Sequence, residues 1–214
     1  MPKYTEEERK ARTLLSWKMY IQLERDMIDY LDYVPLDEKH LEVYSPKLIA
    51  IIIQVGPEII SGFDVAVANL NKYVKIAKEF EGSDLPSDLE ALWKHETELK
   101  TINKSISFKR YYDFLEKHCY NKPSSALVEY CNKPSSALVE IKESSYVFSP
   151  LATQPPEWWD VYNRLKHDKY TNLKKATLKI ALDSLGALFW IQSLNMDEVY
   201  GQTKIDSQLF NRKN

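Results

Sequence analysis

From Thr171 to about residue 194 the chain carries apolar residues on two sides of one helix, and that decides much of what surrounds it. Leu173, Ala176, Ile180, Ser184, Ala187 and Ile191 recur on one side at helical spacing, and Leu178, Leu182, Leu185 and Phe189 on another. Lys175 and Lys179 are left outside. A helix with two apolar sides needs neighbours on both, which predicts a central place in a helical bundle. Thr171-Asn172 supplies its expected cap.

The rest of the chain supplies the neighbours. Thr5-Glu6-Glu7-Glu8 reads as a capping box with acidic residues at the positive end of a helix. Leu14, Leu15, Met19, Ile21, Leu23, Met27, Ile28 and Leu31 then recur at helical spacing to about Tyr33, and Pro35 closes the helix. Ser45-Pro46 is a second start, an N-cap followed by proline. It opens the most hydrophobic stretch, 48–60, in which Gly56-Pro57 predicts a kink or break. That stretch is too short and too interrupted to span a bilayer and reads as a core helix. The pattern resumes to Phe80. Gly82, Ser83, Asp84 and Pro86 form a linker, and further helices are expected over 88–99 and about 107–118. With only five glycines in 214 residues, the expected class is all-α: an irregular bundle of about five or six helices in one domain, 1–196. The stretch 197–214 is expected to be a polar, fraying tail in which Leu209-Phe210 can dock.

The region 119–152 departs from this pattern. Asn-Lys-Pro-Ser-Ser-Ala-Leu-Val-Glu stands at 121–129 and again, unchanged, at 132–140. Two copies are too few for a solenoid, which needs about three units to bury a core. The eleven-residue offset preserves helix phase, but Pro134 would sit inside that helix. The alternative, slightly favoured, pairs 126–131 with 137–142 as a hairpin. Either way the segment reads as a surface excursion without chemistry of its own.

The formal net charge of −2 excludes a generic nucleic-acid coat but not a local patch. Residues 157–180 carry six positive and three negative side chains, whereas 1–38 carry six positive and nine negative. Cys119 and Cys131 build no disulfide framework and no zinc spacing. His40, His95 and His118 are scattered, so no metal site is expected. No phosphate-binding glycine loop or nucleophile elbow occurs, and no cofactor is expected. The charged N-terminus predicts no signal peptide, no membrane association and a cytoplasmic protein.

The basic stretch coincides with a dense motif, Pro156-Glu157-Trp158-Trp159-Asp160-Val161-Tyr162-Asn163-Arg164-Leu165-Lys166-His167-Asp168-Lys169. On a helix Trp159, Asn163, Lys166 and His167 share one face. They combine an aromatic surface, a hydrogen-bonding amide, a fixed cation and a group that titrates near neutrality. Adjacent helical residues diverge by about 100°, so one of Trp158 and Trp159 packs inward with Val161 and Leu165 while the other borders that face.

The pattern Pro-x-Trp-Trp-x-x-Tyr-Asn-x-x-Lys-His-x-Lys, followed by a Lys-rich amphipathic helix, resembles the C-terminal part of prokaryotic HEPN-type proteins over about residues 150–195. The resemblance implies a helical bundle, often a homodimer, from a phage-defence or toxin–antitoxin setting with an antitoxin or other protein partner. It also implies a metal-independent RNase motif: arginine, a polar residue, three residues, then histidine. Asn163 and His167 match that frame, while Tyr162 stands at the arginine position. Arg164 is two residues further on, about 200° around the helix from Tyr162. Under the RNase reading His167 is the general acid–base on a ribose 2′-hydroxyl, Asn163 orients it, and Lys166 offsets charge on the phosphate. Tyr162, Arg164, Lys169 and Trp159 would hold the RNA, although a lysine lacks the arginine fork. The alternative is a non-catalytic module that binds RNA, a nucleotide or a protein on the same face.

Overall fold

The computed structural model describes residues 5–81, 138–142, 144, 146–151, 155–200 and 207–213. The helices expected over 88–99 and 107–118, both cysteines and the first copy of the repeat lie outside these residues. The described part is predominantly helical, but it is not purely all-α: it includes a small three-stranded antiparallel sheet.

Helix α1 (Glu6–Leu31) begins at the expected capping box. Glu8 N donates to Thr5 Oγ1 at 3.1 Å and Thr5 N donates to Glu8 Oε2 at 2.7 Å. The donors from Thr5 hold the Glu8 carboxyl below its usual range. A 3-10 turn (Glu38–His40) leads to α2 (Pro46–Glu81), opened by Leu48 N on Ser45 Oγ at 3.2 Å.

Of the kink or break expected at Gly56-Pro57, the break does not occur: α2 continues as helix through Pro57. A proline inside a helix costs about 3 kcal/mol. Leu48, Ile51, Ile52 and Val55 before it, and Ile59 and Phe63 after it, are all buried. At about 1.5–3 kcal/mol per buried aliphatic or aromatic side chain, that face outweighs the proline. Unbroken, Pro46–Ala66 is long and apolar enough to cross a membrane. Half of this apolar stretch is buried inside the fold, where the helix packs on α1.

The motif forms α3 (Glu157–His167), followed by a single-turn α4 (Lys169–Asn172) and a 3-10 turn (Leu173–Lys175). The final helix, α5 (Leu178–Tyr200), starts later than the Thr171-Asn172 cap implied and extends past residue 194. Thr177 Oγ1 caps it by accepting from Ile180 N at 3.3 Å. Leu178 N and Lys179 N donate to the carbonyls of Val43 and Leu41. As expected for a helix with two apolar sides, α5 is central, packing on α1, α2, α3 and β3. Leu178, Ala181, Leu182, Leu185, Leu188, Trp190 and Ile191 are buried in the core.

The strand expected within 137–142 is present at Leu138–Ile141, but the three-stranded sheet it belongs to was not expected. Its order is β2-β1-β3, with β1 (Leu138–Ile141) between β2 (Tyr146–Phe148) and β3 (Phe210–Lys213). Both edges of β1 are therefore occupied, by β2 and β3; the hairpin partner expected at 126–131 lies outside the described residues. Val139 and Ile141 point into the core while Glu140 points outward. Beneath the sheet, Gly186 of α5 leaves room for the Phe148 ring, which a Cβ there would approach to 2.6 Å.

At the C-terminal end Leu209-Phe210 docks, as the sequence allowed, and the described residues 207–213 are held to the fold. Leu209 and Phe210 are buried, and Phe210 meets the Phe189 ring at 5.7 Å. Glu24, itself buried, anchors the segment. It accepts from Tyr20 Oη at 2.6 Å, Leu209 N at 2.9 Å, Gln208 N at 3.1 Å and the Ser207 hydroxyl.

Candidate functional site

Helix α3 has a buried side and a wet side. Trp158, Val161, Tyr162 and Leu165 form the buried side. Trp158 is 1% exposed, and its Nε1 donates to the Pro150 carbonyl at 2.8 Å, so the connector before the helix is tied to the core. Trp159 is half-buried and meets Trp158 edge-on, with ring centroids 5.8 Å apart. The divergence expected of adjacent tryptophans is thus observed.

Tyr162, at the arginine position of the motif, lies on the buried side and is 7% exposed. Its ring rests on Gly56 of α2: a Cβ there would sit 2.3 Å from Tyr162 Cε2. Trp159 covers it with a ring centroid 5.0 Å away. Burial raises the Tyr162 pKa above the ordinary tyrosine value. The residue is a spacer between α2 and α3, and an arginine there would bring a charge into apolar packing. Gly56, which in the sequence stands out only as a helix breaker, is the sign of this close contact.

Asn163 is half-buried, and its Nδ2 donates back to the Trp159 carbonyl at 3.0 Å. Arg164 Nε is paired with Asp160 Oδ2 one turn earlier at 2.6 Å. Both ends of that pair are about half exposed, so it is worth at most about 0.5 kcal/mol and can open for a partner.

Lys166 and His167 are exposed at the last turn of α3, and Lys169 is exposed at the start of α4. Lys174 and Lys175, in the 3-10 turn, are exposed as well. None of these five side chains has an ion-pair or hydrogen-bond partner among the described residues. Lys179 differs, because its Nζ bridges Glu157 Oε2 and Asp183 Oδ2, each at 3.1 Å. Burial works against the Lys179 charge, but the charge of Asp183 and both carboxylate hydrogen bonds raise its pKa on balance. Burial raises the Asp183 pKa, with Lys179 opposing. This bridge joins α3 to α5 and leaves Lys179 to the fold.

The turn after the motif is tightly held. Asp168 caps α4, its Oδ1 accepting from Tyr170 N at 3.0 Å and Thr171 N at 3.1 Å, and its other oxygen from the Thr171 hydroxyl. The Thr171 donors hold the Asp168 carboxyl below its usual range. Asn172 Nδ2 donates to the Asp168 carbonyl at 2.8 Å and the Arg164 carbonyl at 3.3 Å. Tyr170 stands on this turn with its ring in solvent, 95% exposed. Sequence reasoning missed it because it falls at the junction between two expected helices.

The structure therefore brings Lys166, His167 and Lys169 together on the wet side, with Arg164 loosely paired beside them. Trp159 and Asn163 are half withdrawn, and Tyr162 is removed from that side. Such a surface can hold phosphates by charge, but it presents a single imidazole and no fixed guanidinium at the arginine position. No family model, no curated protein and no solved structure matches this chain.

Proposed function

We propose that this is a HEPN-like prokaryotic protein whose outer α3–α4 face binds RNA without cleaving it. The observation that carries the reading is the contrast within the motif. Tyr162 is committed to Gly56 and the Asn163 amide to Trp159 O, while Lys166, His167, Lys169, Lys174 and Lys175 remain exposed and unpaired among the described residues. Cation-lined surfaces of this kind bind the phosphate backbone and lose affinity as salt rises. A cytoplasmic setting in phage defence or a toxin–antitoxin pair, with a protein partner, belongs to the same proposal.

A second reading, a metal-independent RNase, is favoured by the exposure of both His167 and Lys166 at one end of α3. Two copies of that end, opposed in a homodimer, would put two imidazoles and two ammonium groups around one phosphate. His167 would then take the 2′-hydroxyl proton as that oxygen attacks the adjacent phosphorus, the phosphorus–5′-oxygen bond breaks, and the imidazole of the second copy protonates the departing 5′-oxygen. Incubation of total RNA with wild type and His167→Ala in EDTA separates the two readings. Intact RNA in both lanes, with salt-sensitive binding, is the expected result. Cleavage by wild type alone would overturn the non-catalytic reading and establish the second.

A further inference from the structure

Among the described residues two tyrosines stand almost fully in water, Tyr33 at 86% and Tyr170 at 95% exposure. Tyr33 follows the end of α1, with Asp29, Asp32, Asp37 and Glu38 within five residues of it. Tyr170 has Lys166, His167, Lys169, Lys174 and Lys175 within five residues, and the one acid in that range, Asp168, has its carboxyl occupied by the α4 cap. The backbone beneath Tyr170 is fixed from both sides, by Asp168 and by the bonds of Asn172 to the carbonyls of Arg164 and Asp168. A bare ring on a fixed mount loses little freedom when something stacks on it.

We infer that Tyr170 is a stacking residue for an unpaired base, which makes the partner of the α3–α4 face a single-stranded RNA. This rests on the RNA-binding reading above and adds the strandedness of the ligand. Lys166, Lys169, Lys174 and Lys175 take the phosphates, and the phenol ring takes one base face. A duplex keeps its base faces inside the stack, and its phosphates would meet the lysines without engaging the ring. A protein partner would favour an aromatic set among apolar neighbours, and here the neighbours are cations.

The test is anisotropy titration of wild type, Tyr170→Ala and Tyr170→Trp with three labelled probes of about twelve units, within the usual site size of single-strand binders. They are an oligouridylate, an abasic oligomer with the same phosphates, and an RNA duplex. Wild type is expected to prefer the oligouridylate over both others by about tenfold or more, as one stacked base implies. Tyr170→Ala should lose that preference with its abasic affinity unchanged, and Tyr170→Trp should keep it. Equal wild-type affinity for oligouridylate and abasic probe, tighter duplex binding, or a Tyr170→Ala variant with full preference would overturn the inference while leaving the RNA-binding reading intact. Failure of wild type to bind any probe at low salt would overturn both.

Discussion

The Glu24 pocket and the outer face of α3 and α4 both concentrate polar side chains, and they treat them in opposite ways. At Glu24 a buried carboxylate accepts from four donors, two of them backbone amides of the C-terminal segment. At the outer face, five basic side chains are exposed and unpaired among the described residues. Polar groups that hold a fold together are matched with partners, because an unmatched buried group costs about 1–3 kcal/mol. Groups left in water meet no such demand and remain available to a ligand. The motif spans the same divide within eleven residues, Tyr162 on one side and His167 on the other.

The sharpest way to break this contrast is Glu24→Ala. Four donors lose their acceptor in the core, so a loss of about 4 kcal/mol or more is expected in urea unfolding, with β3 released. A loss below about 1 kcal/mol would mean that the pocket is not the anchor of that segment. Next, Trp158→Ala removes a buried indole and should cost about 3–5 kcal/mol. Gly56→Ala drives a methyl group into the Tyr162 ring and should cost about 1–3 kcal/mol by overpacking. If Gly56→Ala were neutral, the close approach of α2 to α3 would be wrong.

A subtler test uses pH. Burial, then the nearby Glu24 charge, pushes the Tyr20 hydroxyl well above the usual tyrosine value of 10.0. Its folded pKa lies above its unfolded one, so this contribution is whole below the unfolded value and is lost as pH rises through the folded value. The urea midpoint should therefore fall on the alkaline side, and Tyr20→Phe should flatten that fall. The smallest effect is expected at the other region: His167→Ala, on an exposed helix end, should change stability by less than about 0.5 kcal/mol. A large loss there would move His167 from the ligand face into the fold.

Local chemistry made much of this legible in sequence. Thr5 with Glu8 and Ser45 with Pro46 act within a few residues and appear where expected, and the two-sided apolar pattern gives a central helix as expected, although that helix begins at Leu178. What the sequence concealed depends on distant partners. Val139, Glu140 and Ile141 alternate like a strand, but the segment is central only because residues 210–213 arrive from the end of the chain. Nothing local to Glu24 in the sequence signals that Ser207, Gln208 and Leu209 meet it. At the site, spacing grouped Lys166 and His167, both of which are exposed, yet it could not reveal that Gly56 draws Tyr162 inward or that Asn163 turns back to its own helix.

The most direct measurement is RNA affinity as a function of salt for wild type and Lys166→Ala. Binding by the outer face predicts that log affinity falls linearly with log salt. Lys166→Ala should weaken binding and reduce the slope by about 0.7, the value for one single-strand phosphate that is no longer neutralised. No RNA binding at low salt, or binding indifferent to both salt and Lys166, would contradict it.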